Sequence, residues 1–195
     1  MLPVQENPVE LGGVARTVAR RLVALRVVFG AIWAIDAYLK WQPSFTHQFM
    51  STVSEGAAHH PAWLSPWFEF WHDLFAVDPH LFAYAAAVVE TLLAIGLLLG
   101  VARRVVYIGG MMWSLAIWSI PEGFGTPFMP GATDLGTAIM YAILFGALYV
   151  LEAAVNWRAW TFENVTQRRL PGWRAFRQPR GRSLVDFSAK RYRPP

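Results

Sequence analysis

The sequence of 195 residues contains no cysteine, and only 15% of its residues are charged. Without cysteine the chain cannot form structural disulfides, bind metals through thiolates or relay electrons by thiol–disulfide exchange. Soluble proteins carry roughly a quarter of their residues as charges, whereas here 55% of the residues are hydrophobic. Because the apolar residues are concentrated in four blocks, the composition is typical of an integral membrane protein.

Histidine is absent from these apolar blocks, and all five histidines lie between residues 42 and 80. An internal haem held by two histidines is therefore not expected. His59-His60 and His72 lack the regular spacing of metal ligands, and we predict no metal site. Rossmann and phosphate-loop motifs are also missing. We expect no haem, flavin or iron–sulfur centre in this chain, so any electrons must come from a partner or a diffusible donor.

The four apolar blocks predict four membrane-spanning helices. The second block has 21 residues, which as a helix measure about 30 Å and match the hydrocarbon core; the third is short for a span. A cleaved signal peptide is the competing interpretation of the first block, but no small-residue cleavage site follows it. The predicted fold is an all-α integral membrane four-helix bundle, with a domain over residues 22–155. The blocks run from Leu22 to Leu39, Leu81 to Val101, Val105 to Ile120 and Leu135 to Val155.

Residues 42–80 predict two short amphipathic helices outside the spans. The first carries Phe45, Phe49 and Val53 at helical spacing. The second starts at Ser65-Pro66, a suitable N-cap and first-turn pair, and continues through a run dense in aromatic side chains. Such density outside a span is typical of a helix that lies at the level of the lipid headgroups.

Positive charge lies on one side of the predicted bundle. Residues 1–21, the Arg103-Arg104 turn and the tail 156–195 hold 15 lysines and arginines, whereas 42–80 and 121–134 hold none. Short basic segments remain cytoplasmic. We therefore predict a multi-pass protein of a bacterial or archaeal inner (plasma) membrane, with both termini in the cytoplasm. Prolines and paired glycines predict an irregular N-terminal segment, and the basic tail is expected to lie along the lipid bilayer rather than to bind nucleic acid.

The connection between the third and fourth blocks, residues 119–136, contains three prolines and four glycines. This composition excludes a regular helix or a central strand. Phe124, Phe128 and Met129 make the segment too apolar for an ordinary solvated loop. We expect a folded loop at the outer membrane face that closes the bundle.

Glu90 lies near the middle of the second block, where a lipid-exposed charge costs at least about 2.5 kcal/mol. It must face the bundle interior, carry a proton or have a partner. We interpret it as a proton acceptor or as a hydrogen-bond partner of a ligand carbonyl or hydroxyl; a protonated carboxyl that joins two helices is the structural alternative. Arg26, about one turn inside the first block, either snorkels to the cytoplasmic face or pairs with Glu90. Glu90 and Arg26 are the candidate catalytic residues.

A second polar group is expected at the outer ends of the spans. Asp36 and Lys40 are four residues apart and share a helix face, and Glu122 and Asp134 bracket the connecting loop at the same depth. Asp36 and Lys40 either form an interfacial ion pair worth about 0.5 kcal/mol, with Asp134 or Thr133 as a helix cap, or line a ligand-binding pocket together with Glu122 and Asp134. The aromatic residues that either wall this pocket or serve as ordinary bundle packing are Trp33, Trp113, Trp118, Phe124 and Tyr141.

Four motifs occur together between residues 20 and 155. They are Trp33-x-x-Asp36-Ala37-x-x-Lys40-Trp41, Glu90-Thr91 with Gly96-x-x-x-Gly100, Pro121-Glu122-Gly123-Phe124-Gly125, and Gly131-Ala132-Thr133-Asp134-Leu135-Gly136. In this combination they resemble the DoxX/DoxD-like membrane proteins. The resemblance implies a four-helix membrane bundle and a quinone-linked role, because the best-known members are subunits of thiosulfate:quinone oxidoreductase. Other members associate with oxidative-stress enzymes.

Two functions of different classes remain open. The chain is either an integral membrane subunit of a quinone-linked oxidoreductase, which binds quinone in the bundle and takes electrons from a partner or a donor such as a reduced sulfur compound, or a non-catalytic membrane anchor. In the second case the segment 42–80 docks a periplasmic partner in a larger complex. Partner subunits or a homo-oligomer are expected in both. A permease is a third hypothesis, for which four spans offer few polar groups unless the protein oligomerises.

Overall fold

The computed structural model describes residues 8–58, 60–125 and 134–154 of the chain. Within these ranges the regular structure is entirely helical, with six α-helices and a short 3₁₀ turn at Ala62–Leu64, and contains no strand. The predicted all-α class is confirmed for these residues, whereas the basic tail from residue 156 lies outside them. The helices are α1 (Pro8–Lys40), α2 (Pro43–Gly56), α3 (Ser65–Ala76), α4 (Pro79–Leu99), α5 (Arg103–Ser119) and α6 (Thr137–Ala154).

Two of the helices are long and apolar enough to cross a membrane. They are the Thr17–Lys40 part of α1 and the whole of α4. α6 is apolar over Thr137–Ala153 but shorter, and α5 has 17 residues, about 26 Å at 1.5 Å per residue. Large apolar side chains such as Ile35 and Leu92 are exposed on α1 and α4, as on a surface that faces lipid. These features support a membrane location for the protein.

α1, α4, α5 and α6 surround one apolar core. α1 packs along α4 and α5 packs along α6, and the two pairs meet through contacts of α4 with α5 and of α1 with α6. α5 and α6 approach closely because Gly110 has no side chain, so the Phe145 ring lies against its backbone. Since all four helices contribute side chains to the core, they form one packing unit. The core residues are Phe29, Trp33, Leu93, Ala94, Leu97, Tyr107, Phe145 and Leu148.

α1 begins at Pro8, so the expectation of an irregular N-terminal segment is wrong for residues 8–21. Proline is tolerated in the first turn of a helix because its missing amide hydrogen would have no partner there. The paired glycines Gly12-Gly13 lie inside the helix. α1 continues without a break to Lys40, and Pro43 then opens α2 in the same first-turn position.

α4 and α5 are joined by a tight turn over residues 100–102, and we call this end of the bundle the inner end. Gly100 ends α4 in the left-handed conformation, at φ 66°, and its amide donates to the carbonyl of Gly96, as glycine commonly does after a helix. Ala102 is also left-handed, at φ 46°. The side chain of Val106 from α5 packs against Gly96, and the guanidinium of Arg26 from α1 packs against Gly100.

α2 and α3 form a layer (residues 43–76, the outer layer) over the opposite, outer end of the bundle. The two predicted amphipathic helices are confirmed. Ser65 is the first residue of α3 rather than its N-cap, which is Leu64, because the 3₁₀ turn leads directly into the helix. An aromatic series joins the layer to α4, with Phe75 packed against Phe49 and Phe82.

The outer layer contacts the end of α5. The Trp67 indole Nε1 donates to the carbonyl of Ser119 at 3.3 Å. Gly56 lies directly against the backbone carbonyls of Ile120 and Pro121, where no side chain would fit. These contacts fix the outer layer to the bundle through backbone groups as well as side chains.

The chain leaving α5 forms a folded turn as far as Gly125. Gly123, Phe124 and Gly125 are all left-handed, at φ 53°, 65° and 65°. The Phe124 amide donates to the carbonyl of Trp118 at 2.9 Å, and the Phe124 ring packs against buried Phe68 of the outer layer. This part of the connection is folded, as predicted, while residues 126–133 lie outside the described residues.

Candidate functional site

Glu90 of α4 is buried inside the bundle, with 2% of its surface exposed. Its Oε1 accepts a long hydrogen bond of 3.4 Å from the indole Nε1 of Trp113 on α5. Its Oε2 is also buried and has no hydrogen-bond partner in the described part of the chain. A buried polar atom without a partner is costly, so this oxygen is the first sign of a site for a ligand or a proton.

Lys40 supplies positive charge near this carboxylate. It lies at the end of α1 and acts electrostatically on Glu90, Asp36 and Glu122. Its Nζ is 4.4 Å from the centroid of the Phe45 ring, a cation–π distance. Asp134 also acts electrostatically on Glu122. These influences link the predicted group of Asp36, Lys40, Glu122 and Asp134, and Glu90, which was not predicted to belong to it, lies within reach of Lys40 and Asp36. We call Asp36, Lys40, Glu90 and Glu122 the outer polar cluster.

Arg26 is not part of this cluster. Its guanidinium lies against Gly100 at the inner end of α4, ten residues from Glu90 and hence about 15 Å away along the helix. Its electrostatic neighbour is Tyr107 of α5. Arg26 is only 3% exposed, so it does not snorkel to the surface either. The two candidate catalytic residues therefore belong to separate polar groups at opposite ends of the bundle.

Trp33 and Tyr141 form part of an aromatic wall in the bundle. The Trp33 ring lies 5.7 Å from Tyr141 and 5.5 Å from Phe145, centroid to centroid, and Phe29 packs edge-on against all three rings. The Trp33 indole Nε1 is buried and has no hydrogen-bond partner among the described residues. This wall therefore combines apolar packing with one donor that is available to a ligand.

Glu122 holds the start of α6. Both of its carboxylate oxygens lie 3.1 Å from the backbone amide of Ala138, which donates to them. Burial raises the pKa of this carboxyl above its usual value, and the amides of Ala138 and Thr137 partly oppose the rise in pKa. A carboxylate at a helix N-terminus is favourable. Glu122 thus caps α6 from the neighbouring loop. It has this structural role in addition to its place in the outer polar cluster.

The remaining predicted ligand-binding residues tie the loop to the same helix. The Trp118 indole donates to the carbonyl of Leu135 at 2.7 Å, and the Phe124 ring lies 5.1 Å from Trp118. Asp134 Oδ1 accepts from the amide of Gly136 at 2.8 Å, a local turn that precedes α6 rather than the helix cap predicted for this residue. Thr133, the alternative cap, lies outside the described residues. Trp118, Phe124 and Asp134 hold the loop on α6, next to Glu122.

An apolar groove of about 400 Å³ opens between α4 and α5. The groove is open beside Gly109, where an added Cβ atom would have no other atom within 4 Å. Trp113 lines the groove and also donates to Glu90. The Trp113 ring thus lies between the groove and the buried carboxylate. The other lining residues are Val89, Leu92, Leu93, Val105, Val106 and Met112.

Comparison with protein-family models, curated proteins and solved structures gives no match. The function is therefore inferred from the geometry of the site. The structure places no three metal-ligating side chains together within the described ranges. His60, for example, packs against Phe68 and lies 3.2 Å from the hydroxyl of Ser65.

Sequence reasoning missed a second buried acid, Glu152 of α6. Its Oε2 pairs with Arg103 at 2.8 Å, and its Oε1 accepts from the Tyr107 hydroxyl at 2.5 Å. The signal that could have found it is the same one that singled out Glu90, an acidic residue inside an apolar block. Trp113 was recognised only as one of several aromatic residues, because its contact with Glu90 depends on how α4 and α5 face each other.

Proposed function

We propose that α1, α4, α5 and α6 each cross the lipid bilayer once, with both chain termini in the cytoplasm. Two helices are long and apolar enough by themselves, and α5 and α6 pack with them around the same core. The inner end carries Arg20, Arg21, Arg103 and Arg104, whereas the segment 42–80 has no lysine or arginine. This distribution matches a cytoplasmic inner end and a periplasmic or exterior outer layer.

We propose further that the protein binds a membrane quinone and acts as the integral membrane subunit of a quinone-linked oxidoreductase. The observation that carries this proposal is the buried Glu90 carboxyl, with one oxygen held by Trp113 and the other without a partner among the described residues. Intramembrane acids are rare and are functional by default. The groove gives an apolar ligand a place next to Trp113, the residue that holds this carboxyl.

The residues present fit a quinone. The Trp33 indole Nε1 and Glu90 Oε2 are buried and have no partner among the described residues. The indole can donate to a quinone oxygen, and the Glu90 carboxyl can do so when it carries a proton. The groove is lined almost entirely by apolar side chains, as needed for an isoprenoid tail. When bound, a quinone supplies two-electron, two-proton redox chemistry. Trp113 orients Glu90, and the groove walls exclude water from it.

The outer polar cluster provides groups that hold and move protons. Asp36, Glu90 and Glu122 can each carry a proton, and the Lys40 ammonium stabilises their charged forms. A series of acids from the outer layer towards Glu90 suits proton delivery to the bundle interior. The electron donor is a partner subunit or a small molecule such as a reduced sulfur compound. The resemblance to DoxX/DoxD-like proteins supports this reaction class.

The test is quinone binding by the purified protein in lipid nanodiscs, with short-tail ubiquinone and menaquinone analogues as probes. Gly109→Leu fills the groove and should weaken binding about tenfold or more, because the tail loses its place. Gly109→Ala, the control, adds only a methyl group in open space and should bind as the unmodified protein does. Glu90→Gln should also weaken binding while the fold is retained. Unchanged affinity in both Gly109→Leu and Glu90→Gln would refute the proposal.

A second function, a membrane anchor that docks a periplasmic protein, is favoured by one observation. Trp63 and Phe70 of the outer layer are 72% and 59% exposed, and such aromatic residues are typical anchors of protein interfaces. Trp63→Gln with Phe70→Gln should then release a stoichiometric partner isolated from native membranes. The matched control is Val77→Gln, which is also highly exposed but lies outside α3. Retention of the partner by the double variant would exclude this docking surface.

A further inference from the structure

α5 begins at the inner end with positively charged side chains, which are unfavourable at a helix N-terminus. Helix N-termini have partial positive charge and are stabilised by acidic side chains or bound anions. α5 begins instead with Arg103 and Arg104, has no acid in its first turn and has no side-chain cap. Its N-cap residue is Ala102, whose methyl group cannot accept a hydrogen bond. α5 itself therefore supplies no anion to its own N-terminus.

Arg26 supplies an independent observation at the same place. Its guanidinium lies against Gly100, two residues before the N-cap of α5, and the side chain is only 3% exposed. Its Nε and Nη1 atoms are buried without a hydrogen-bond partner in the described ranges. A buried cation without a partner costs several kcal/mol, and its planar donors match the oxygens of a carboxylate or phosphate.

The carboxylate described at this end is already engaged. Glu152 uses one oxygen for Arg103 at 2.8 Å and the other for Tyr107 at 2.5 Å. It can balance one arginine, whereas Arg103 and Arg104 both begin α5 and Arg26 lies against Gly100, just before them in the turn. The described side chains at the turn therefore carry excess positive charge.

We propose that the inner end binds a phosphate group between Arg26 and the N-terminus of α5, and that this phosphate belongs to the headgroup of an anionic phospholipid. The arginine-rich end lies at the cytoplasmic headgroup level in the proposed topology, where anionic lipids are concentrated. Arg26 supplies Nε and Nη1, and the α5 terminus supplies its positive dipole. Free inorganic phosphate offers the same chemistry and is the other source. The site is separate from the one assigned to quinone, at the far end of α4 from Glu90.

The first experiment measures lipid binding by native mass spectrometry and thermal stability in detergent, with phosphatidylglycerol, phosphatidylcholine and inorganic phosphate added in parallel. Phosphatidylglycerol should be retained and should raise the unfolding temperature, while phosphatidylcholine should not. Arg26→Gln should lower the phosphatidylglycerol affinity about tenfold. The control is Arg21→Gln, which removes the same charge from an exposed position on α1 and should bind as the unmodified protein does.

A second variant keeps the proposal testable if Arg26→Gln fails to fold. Ala102→Asp places an acid at the N-cap of α5, and aspartate tolerates the left-handed conformation found there. It should stabilise the protein without lipid and abolish the effect of phosphatidylglycerol, whereas Ala102→Asn should keep that effect. Stabilisation by inorganic phosphate alone would reject the lipid as the source. Equal phosphatidylglycerol affinity in Arg26→Gln and Arg21→Gln, or an unchanged lipid effect in Ala102→Asp, would overturn the site itself.

Discussion

Trp113 of α5 donates its indole hydrogen to Glu90 of α4, with 3.4 Å between Nε1 and Oε1, and so joins the two helices beside the open groove. This is the one hydrogen bond found for the Glu90 carboxylate among the described residues. The same ring forms part of the groove wall, so a ligand in the groove would touch the side chain that holds the carboxylate.

Trp113→Phe removes this donor and keeps most of the apolar ring. Because the Glu90 carboxyl then loses its hydrogen bond in a buried site, the free energy of unfolding should fall by about 1–3 kcal/mol, and quinone affinity should fall with it. Urea or thermal unfolding in detergent measures the first effect. Trp41→Phe is the matched control, since it removes an exposed indole bond to Thr91 and should cost about 1 kcal/mol or less. Equal losses in the two variants would contradict a special role of Trp113.

Glu122 should make the stability of the protein depend on pH. Burial raises its pKa in the folded state above the ordinary 4.5, so its contribution to stability is fully present below that value and is lost as the pH rises through the raised pKa. Glu122→Gln can still accept from the Ala138 amide but does not titrate. The unfolding temperature of the variant, relative to the unmodified protein, should therefore increase between about pH 4.5 and 8. A difference that stays constant across this range would show that the pKa is not raised.

The proposed topology can be tested with single cysteines, because the chain has none of its own. Ala58→Cys, at an exposed position after α2, and Arg104→Cys, exposed at the start of α5, lie at opposite ends of the bundle. A membrane-impermeant maleimide should label position 58 from outside intact cells and position 104 only in inverted vesicles. Labelling of both from the same side would rule out the proposed topology.

The Arg103–Glu152–Tyr107 group should act as a buried network. Glu152→Gln removes the charge that pairs with Arg103 at 2.8 Å and should lower the free energy of unfolding by about 3–5 kcal/mol. Tyr107→Phe removes one hydrogen bond and should cost about 0.5–1.5 kcal/mol. Because Tyr107 donates directly to Glu152, the two substitutions affect the same hydrogen bond. The double variant should therefore lose less stability than the sum of the two single variants. Additive losses, measured by chemical unfolding, would mean that the bonds act separately.

The sequence predicted the helices well where apolar periodicity was strong. α2, α3 and α4 appear within a few residues of their predicted positions, since amphipathic spacing and long apolar runs are local signals. The start of α1 was missed because Pro8 and Gly12-Gly13 were interpreted as helix breakers, although proline is tolerated in a first turn.

The partners of the polar residues were harder to predict. Glu90 and Arg26 stood out in the sequence, but their partners depend on the rotation and register of packed helices, which no local pattern encodes. Glu152 lies near the end of the fourth block and was not singled out from the sequence.

Residue 56 sets how near the outer layer can come to the bundle. With hydrogen in place of a side chain, the end of α2 rests on two carbonyl oxygens that follow α5. Even one methyl group there would collide with them, and backbone oxygens cannot rotate aside as a flexible side chain can. The outer layer would then have to tilt away from the rest of the bundle, which would expose the contact between the Phe75 and Phe82 rings to water.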